Sequence, residues 1–116
     1  MRETLASSEA LFSRSEEPVR ATYARLLEVL RQIGPFAEEP KKTSIHLTHT
    51  VGFAGVHPRK SYLILNLRTD HPIVSPRISK VEQVSKNRYH CEMKLSALED
   101  VDEEVAGWLR AAYALG

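Results

Sequence analysis

Pro40-Lys41-Lys42-Thr43-Ser44-Ile45-His46-Leu47 (PKKTSIHL) is the stretch on which the reading of this chain turns, because the apolar period changes there from helical to two. Thr43, Ile45 and Leu47 fall on one side of an extended chain, with Ser44, His46 and Thr48 on the other. That is the pattern of a half-buried strand. The two lysines at its start pose a second question: whether PKKTSIHL belongs to a site, or is a strand guarded by charge against unwanted pairing.

Before this stretch the chain is helical in pattern. Val19, Tyr23, Leu26, Leu27, Leu30 and Ile33 recur at helical spacing, with Arg20, Arg25, Glu28 and Arg31 on other faces. Ser15-Glu16-Glu17-Pro18 offers a hydroxyl for orphan amides, acids for the positive end of the helix dipole and a proline tolerated in a first turn. Gly34-Pro35 is the stop. After PKKTSIHL, a tight connection near His49-Thr50 leads to Val51-Gly52-Phe53-Ala54-Gly55-Val56, whose glycines allow close backbone approach. His57-Pro58-Arg59-Lys60 reads as a turn, and Tyr62-Leu63-Ile64-Leu65-Asn66-Leu67 is the most strand-like run. Thr69 to Pro76 is a proline-containing loop, and Ile78, Val81 and Val84 fit either a short helix or a bulged strand. Tyr89, Cys91, Met93 and Leu95 alternate as a final strand. Asp100-Val101-Asp102-Glu103 then has a capping-box pattern ahead of a stripe of Val105, Trp108, Leu109 and Ala112.

Helix, strands, helix predicts an α+β domain: an antiparallel sheet of about four to five strands with the N-terminal and C-terminal helices packed on one face. Its core would set the helix stripes against Ile45, Leu47, Phe53, Leu63, Leu65 and Leu67. With 116 residues, 42% of them hydrophobic, the chain can bury one core and not two. Residues 15–116 are expected to form this single domain, and residues 1–14 a flexible arm.

The formal charge of +1 describes neither a strongly basic nucleic-acid binder nor an acidic disordered tail. Cys91 is the sole cysteine, which excludes an internal disulfide and metal sites built on paired cysteines, and suits a cytoplasmic location. Glu3 and Glu9 interrupt the N-terminal stretch, so it lacks the pattern of a secretory signal. No window approaches the roughly 18 apolar residues of a membrane span, so no membrane partner is expected.

Dividing the chain reveals what the total hides. Residues 1–40 carry a balance of −2, residues 95–116 one of −4, and residues 41–94 one of +7 together with all five histidines. The sheet layer is basic and the helix layer acidic. A free sheet face collecting Lys42, Lys60, Arg68, Lys86 and Arg88 would meet nucleic acid or an acidic protein surface, although lysines and arginines at strand ends also deter edge pairing. Self-association is left open. His46, His49 and His57 match no metal-ligand spacing, and no acid lies between Glu39 and Asp70 to complete a set. Cys91 points inward as a small core hydrophobe, with His90 on the opposite face where it could serve a ligand. No phosphate loop, nucleophile elbow, zinc-protease motif or carboxylate pair is present, so no cofactor is expected and the chain leans away from catalysis.

In sequence order, PKKTSIHL, VGFAGVHPRKSYLILNL and RYHCEMKLSALEDVDEEVAGWLRAAYAL resemble the small prokaryotic domain-of-unknown-function family numbered 5655. The likeness lies in a KKT-like strand start, an FA-containing strand followed by a PRK-like turn, and a histidine-bearing strand before a closing W-L-x-x-A-Y helix. It covers about Ser15 to Leu115 and implies a fold more than a function. It draws attention to Lys41, Lys42, Phe53, Lys60, His90 and Tyr113. The expected function is therefore a binding module whose ligand residues come from Lys41, Lys42, Lys60, Arg68, Lys86, Arg88, His90 and Tyr113. The alternative is a small-molecule or catalytic pocket of Lys42, Lys60, His90 and Tyr113.

PKKTSIHL supplies a direct test by thermal melting. Ile45→Asp should abolish the folded state, since an unpaired charge in a core costs more than about 4 kcal/mol. Lys42→Ala should leave the melting temperature unchanged; a large drop would make the lysine structural.

Overall fold

Period-two alternation carries through the sheet and decides what each strand turns inward. A computed structural model describes residues 8–115. In chain order these form α1 (Ser8–Leu11), α2 (Glu17–Ile33), β1 (Ala37–Pro40), β2 (Ile45–Thr48), β3 (Gly52–Pro58), β4 (Leu63–Thr69), β5 (Ile78–Ser85), β6 (Arg88–Leu95), a 3₁₀ turn (Leu98–Asp100) and α3 (Glu103–Leu115). The strands make one antiparallel sheet in the order β1-β2-β3-β4-β6-β5. Ile45 and Leu47, Leu63, Leu65 and Leu67, and Cys91, Met93 and Leu95 are all fully buried. They meet Val19, Leu26 and Leu30 of α2 and Val105 and Leu109 of α3 in a single core. No helix among the described residues is long and apolar enough to cross a membrane.

The sheet has six strands, where four to five were expected. Both additions are edges with poor strand composition. β1 reads Ala37-Glu38-Glu39-Pro40 and is held by its pairing with β2. PKKTSIHL is therefore a hairpin: Pro40 ends β1, the Lys41 N–H donates to the Ser44 carbonyl at 2.7 Å, and Ile45 opens β2. Thr43 belongs to this turn and not to a strand. The stretch from Ile78 resolves as the bulged strand β5, with irregular register at Ile78/Lys80 and Gln83/Ser85. Val81 and Val84 stay exposed on it, so the strand has no apolar face to produce alternation. At the other end, residues 1–7 of the expected arm lie outside the described residues, whereas Phe12 is buried with its ring 4.7 Å from that of Tyr23.

Both helix starts differ in detail from their sequence signals. Ser15 does not cap α2; its Oγ donates to the Arg59 carbonyl at 2.7 Å while the Glu16 N–H donates to the Lys60 carbonyl at 2.8 Å, tying the helix to the β3–β4 turn. In α3 the capping acid is Asp102, whose Oδ1 accepts from the Val105 N–H at 3.1 Å. Asp100 instead accepts from the N–H groups of Ser96 and Ala97. The Val105 N–H and then the Arg77 guanidinium hold the Asp102 carboxyl below the usual carboxylate range.

Because β6 lies between them, β4 and β5 run in the same direction, and the connection over residues 70–77 must return along the sheet before β5 can begin. It does so on the helix side: Ile73 is buried in the core, and Arg77 reaches the start of α3. There Arg77 donates to Asp102 at 3.0 Å, Glu104 at 3.1 Å and the Asp100 carbonyl at 2.7 Å, with its guanidinium 5.9 Å from the Trp108 ring.

Gly34 closes α2 with an N–H to the Leu30 carbonyl at 3.1 Å. A Cβ at this position would sit 2.5 Å from the Tyr113 Oη. That hydroxyl donates to the Pro35 carbonyl at 2.7 Å, and its ring is stacked on His49 and set edge-on to Phe53, so it has little room to yield. Gly34→Ala should destabilise the domain by about 1–3 kcal/mol in urea denaturation, and Tyr113→Phe in the same chain should recover part of the loss by removing the closest atom.

Candidate functional site

The sheet face turned away from the helices receives the alternate residues. Cα pairing gives a row across it, Glu39, His46, Gly55, Asn66, Glu92 and Lys80, from β1 through β5. A second row pairs Arg68 with His90 and His90 with Glu82. Between β2 and β3 the register slips, Leu47 facing Ala54 and Thr48 facing Gly52. The extra residue, Phe53, sends its ring into the core, fully buried and edge-on to Tyr113 at 5.3 Å. Such a bulge re-aims the side chains around it.

The result is a trough of about 500 Å³ lined by His46, Gly52, Gly55, His57, Asn66, Arg68, Arg88 and His90, with Val84 and Ser85 of β5 at its far end. Arg88 precedes His90 by two residues, so it lies diagonal to Arg68 on the same face, at roughly 7–8 Å between backbones. His46 and His57 are related in the same way across Gly55.

Arg68 donates to the Gly52 carbonyl at 3.1 Å and Arg88 to the Asn87 carbonyl at 3.0 Å. Among the described residues neither is in an ion pair, whereas Arg20, Arg25, Lys41, Arg77 and Arg110 each meet a carboxylate within 4 Å. Of the two acids in the first row, Glu92 accepts from the Asn66 amide at 3.2 Å and Glu39 meets Lys41 at 3.8 Å. Asp70 is held below its usual range, chiefly by its 2.6 Å hydrogen bond with His71. Burial lowers the affinity of His57 for a proton; Arg59 and His46 act in the same direction and Glu92 against it. No three His, Cys, Asp or Glu side chains among the described residues converge as a metal site would need.

The eight residues singled out in the sequence fall into separate places. Arg68, Arg88 and His90 line the trough together. Lys86 lies in the β5–β6 turn at the same end of the sheet. Lys41, Lys42 and Lys60 occupy the β1–β2 and β3–β4 turns at the opposite end, Lys41 paired with Glu39 at 3.8 Å. Tyr113 is on the helix side, stacked on His49 at 4.5 Å. Lys42, Lys60, His90 and Tyr113 thus do not surround one cavity, because the sheet lies between His90 and Tyr113. Gly52, Gly55 and Asn66 were not among the candidates. The two glycines carried one sequence signal, glycine inside a strand pattern; Asn66 carried none.

The family model for a domain of unknown function, DUF5655, matches residues 8–116. The chain belongs to this family. The match starts ahead of Ser15 and takes in α1 and the buried Phe12. No curated protein and no solved structure matches the chain.

His57 gives this DUF5655 domain a pH-dependent component of stability. Its folded value lies below the 6.5 of an unstructured histidine, so within that window the unfolded chain binds more protons and stability rises with pH. Denaturant midpoints should therefore fall as pH drops from about 7 toward 5, where the unfolded histidine charges. His57→Asn should flatten that slope, and an unchanged slope would assign it to other groups.

Proposed function

We propose that the DUF5655 domain is a binding module that takes an anionic partner, nucleic acid foremost, on the open face of its sheet. One observation carries this reading: Arg68 and Arg88 lie diagonal to each other in the trough without carboxylate partners among the described residues, beside His46, His57 and His90. Cations paired by a neighbouring acid have little to offer a phosphate, and the helix-side arginines Arg25, Arg77 and Arg110 are paired in this way. Unpaired guanidiniums keep their forked donors available for phosphate oxygens. No catalytic activity is assigned, since the alternative pocket of Lys42, Lys60, His90 and Tyr113 is divided by the sheet.

Fluorescence anisotropy with short labelled DNA and RNA at low salt tests the reading. Binding should weaken steeply with salt as counterions are released. Arg68→Ala with Arg88→Ala should lower affinity at least about tenfold and flatten the log-log salt slope by roughly two phosphate contacts. Lys42→Ala with Lys60→Ala, at the far end, should have the smaller effect. Absence of salt-dependent binding at tens of micromolar protein would overturn it.

A further inference from the structure

Gly55 is a glycine that the fold itself does not require. It sits in the interior of β3, paired with His46 on one side and Asn66 on the other. Glycine there leaves a strand without a side chain to pack and raises the entropy lost on folding. The usual reasons for accepting this are absent. No described glycine lies in the left-handed region of φ. A Cβ built on Gly55 would meet only the Asn66 Cβ and the Ile45 carbonyl oxygen, each at 3.9 Å, which is ordinary contact. Neither conformation nor packing excludes alanine, so what the glycine preserves is the floor of the trough. A bare backbone within a strand admits a group that must approach closely.

The surroundings identify that group. His46, directly across from Gly55, and His57, two residues along, put imidazoles on either side of the bare position. Asn66, on the other flank, gives one N–H of its amide to Glu92 and keeps a donor and an acceptor for a heteroatom-bearing edge. Arg68 is two residues beyond Asn66, diagonal to Gly55, with Arg88 and His90 next to it. That diagonal is roughly 7–8 Å, a gap one sugar can bridge. We propose that the trough is a nucleotide site: a planar base lies on Gly55 between His46 and His57, and its phosphate sits between Arg68 and Arg88. A duplex would keep its bases stacked and paired, out of reach of the floor, so the nucleotide is either free or part of a single strand. The proposal rests on the anionic-partner reading and adds the base to it.

The test measures fold and binding on the same variants. Gly55→Ala should melt at or above the wild-type temperature and bind a labelled single-stranded tetranucleotide several-fold more weakly. Gly55→Leu, which fills the floor, should weaken it at least tenfold, while residual duplex binding and its salt slope stay as in the wild type. His46→Ala supplies a variant that leaves β3 untouched and should also weaken the single strand preferentially. Adenosine monophosphate competing at concentrations where inorganic phosphate does not would point to a free nucleotide. Tetranucleotide binding that monophosphate does not displace would point to a strand; both support the site. Equal competition by inorganic phosphate and the nucleotide would show that the base makes no contact and would overturn it. So would wild-type affinity in Gly55→Leu, or in Gly55→Ala and His46→Ala if the leucine variant does not fold. If single-strand binding also disappears in Arg68→Ala with Arg88→Ala, the anionic reading survives that failure. No binding by the wild-type chain overturns both.

Discussion

Two helices can cover one face of a six-stranded sheet, and everything polar in this domain is arranged around that limit. Burying a leucine or valine contributes about 1.5–3 kcal/mol, and the inward rows of β2, β4 and β6 supply such residues almost without interruption. Strand geometry then commits the alternate positions to the other side, where the same residue types would remain in water. His46, His57, Asn66, Arg68, His90 and Glu92 stand there because the core requires their neighbours. The open face is thus a consequence of the core, and its chemistry can vary while the fold persists.

Electrostatics divides along the same plane. On the helix side, acids and arginines neutralise one another at short range, most fully where Arg77 meets Asp102 and Glu104. On the open side the central acid, Glu92, is engaged with Asn66, and Arg68 and Arg88 lean on backbone carbonyls. A charge of +1 for the whole chain averages these two surfaces and describes neither.

What could be read from residues alone was whatever repeats. The α2 stripe, the alternation of β4 and β6 and the inward turn of Cys91 are periodic, and all are found as expected. Ala37-Glu38-Glu39-Pro40 and Ile78 to Ser85 are edge strands, held by a neighbour's backbone more than by an apolar face, and so carry no period to detect. The candidate site divides similarly. Basic residues could be counted, but strand direction and the order β4-β6-β5 decide which end of the sheet each one reaches. Lys42 and Lys60 therefore part company with Arg68 and Arg88. A helical stripe does not tell which face of the sheet it covers, so nothing in the residues separates Tyr113 from His90; its ring is committed to His49, Phe53 and the Pro35 carbonyl. Gly55 leaves nothing to count at all.

The order of the last strands also bears on how the chain acquires its shape. β2, β3 and β4 pair in sequence, each joined to the next by a short turn, and β5 with β6 forms a hairpin of its own. The β4–β6 ladder joins these two pieces, and it brings Thr69 to Tyr89 across the whole intervening segment. Closing that segment lowers chain entropy before any ladder contact repays it. Docking of the two hairpin units along β4–β6 therefore carries a loop-closure cost that the short turns within each unit do not. The trough, which draws residues from both units, exists only after it.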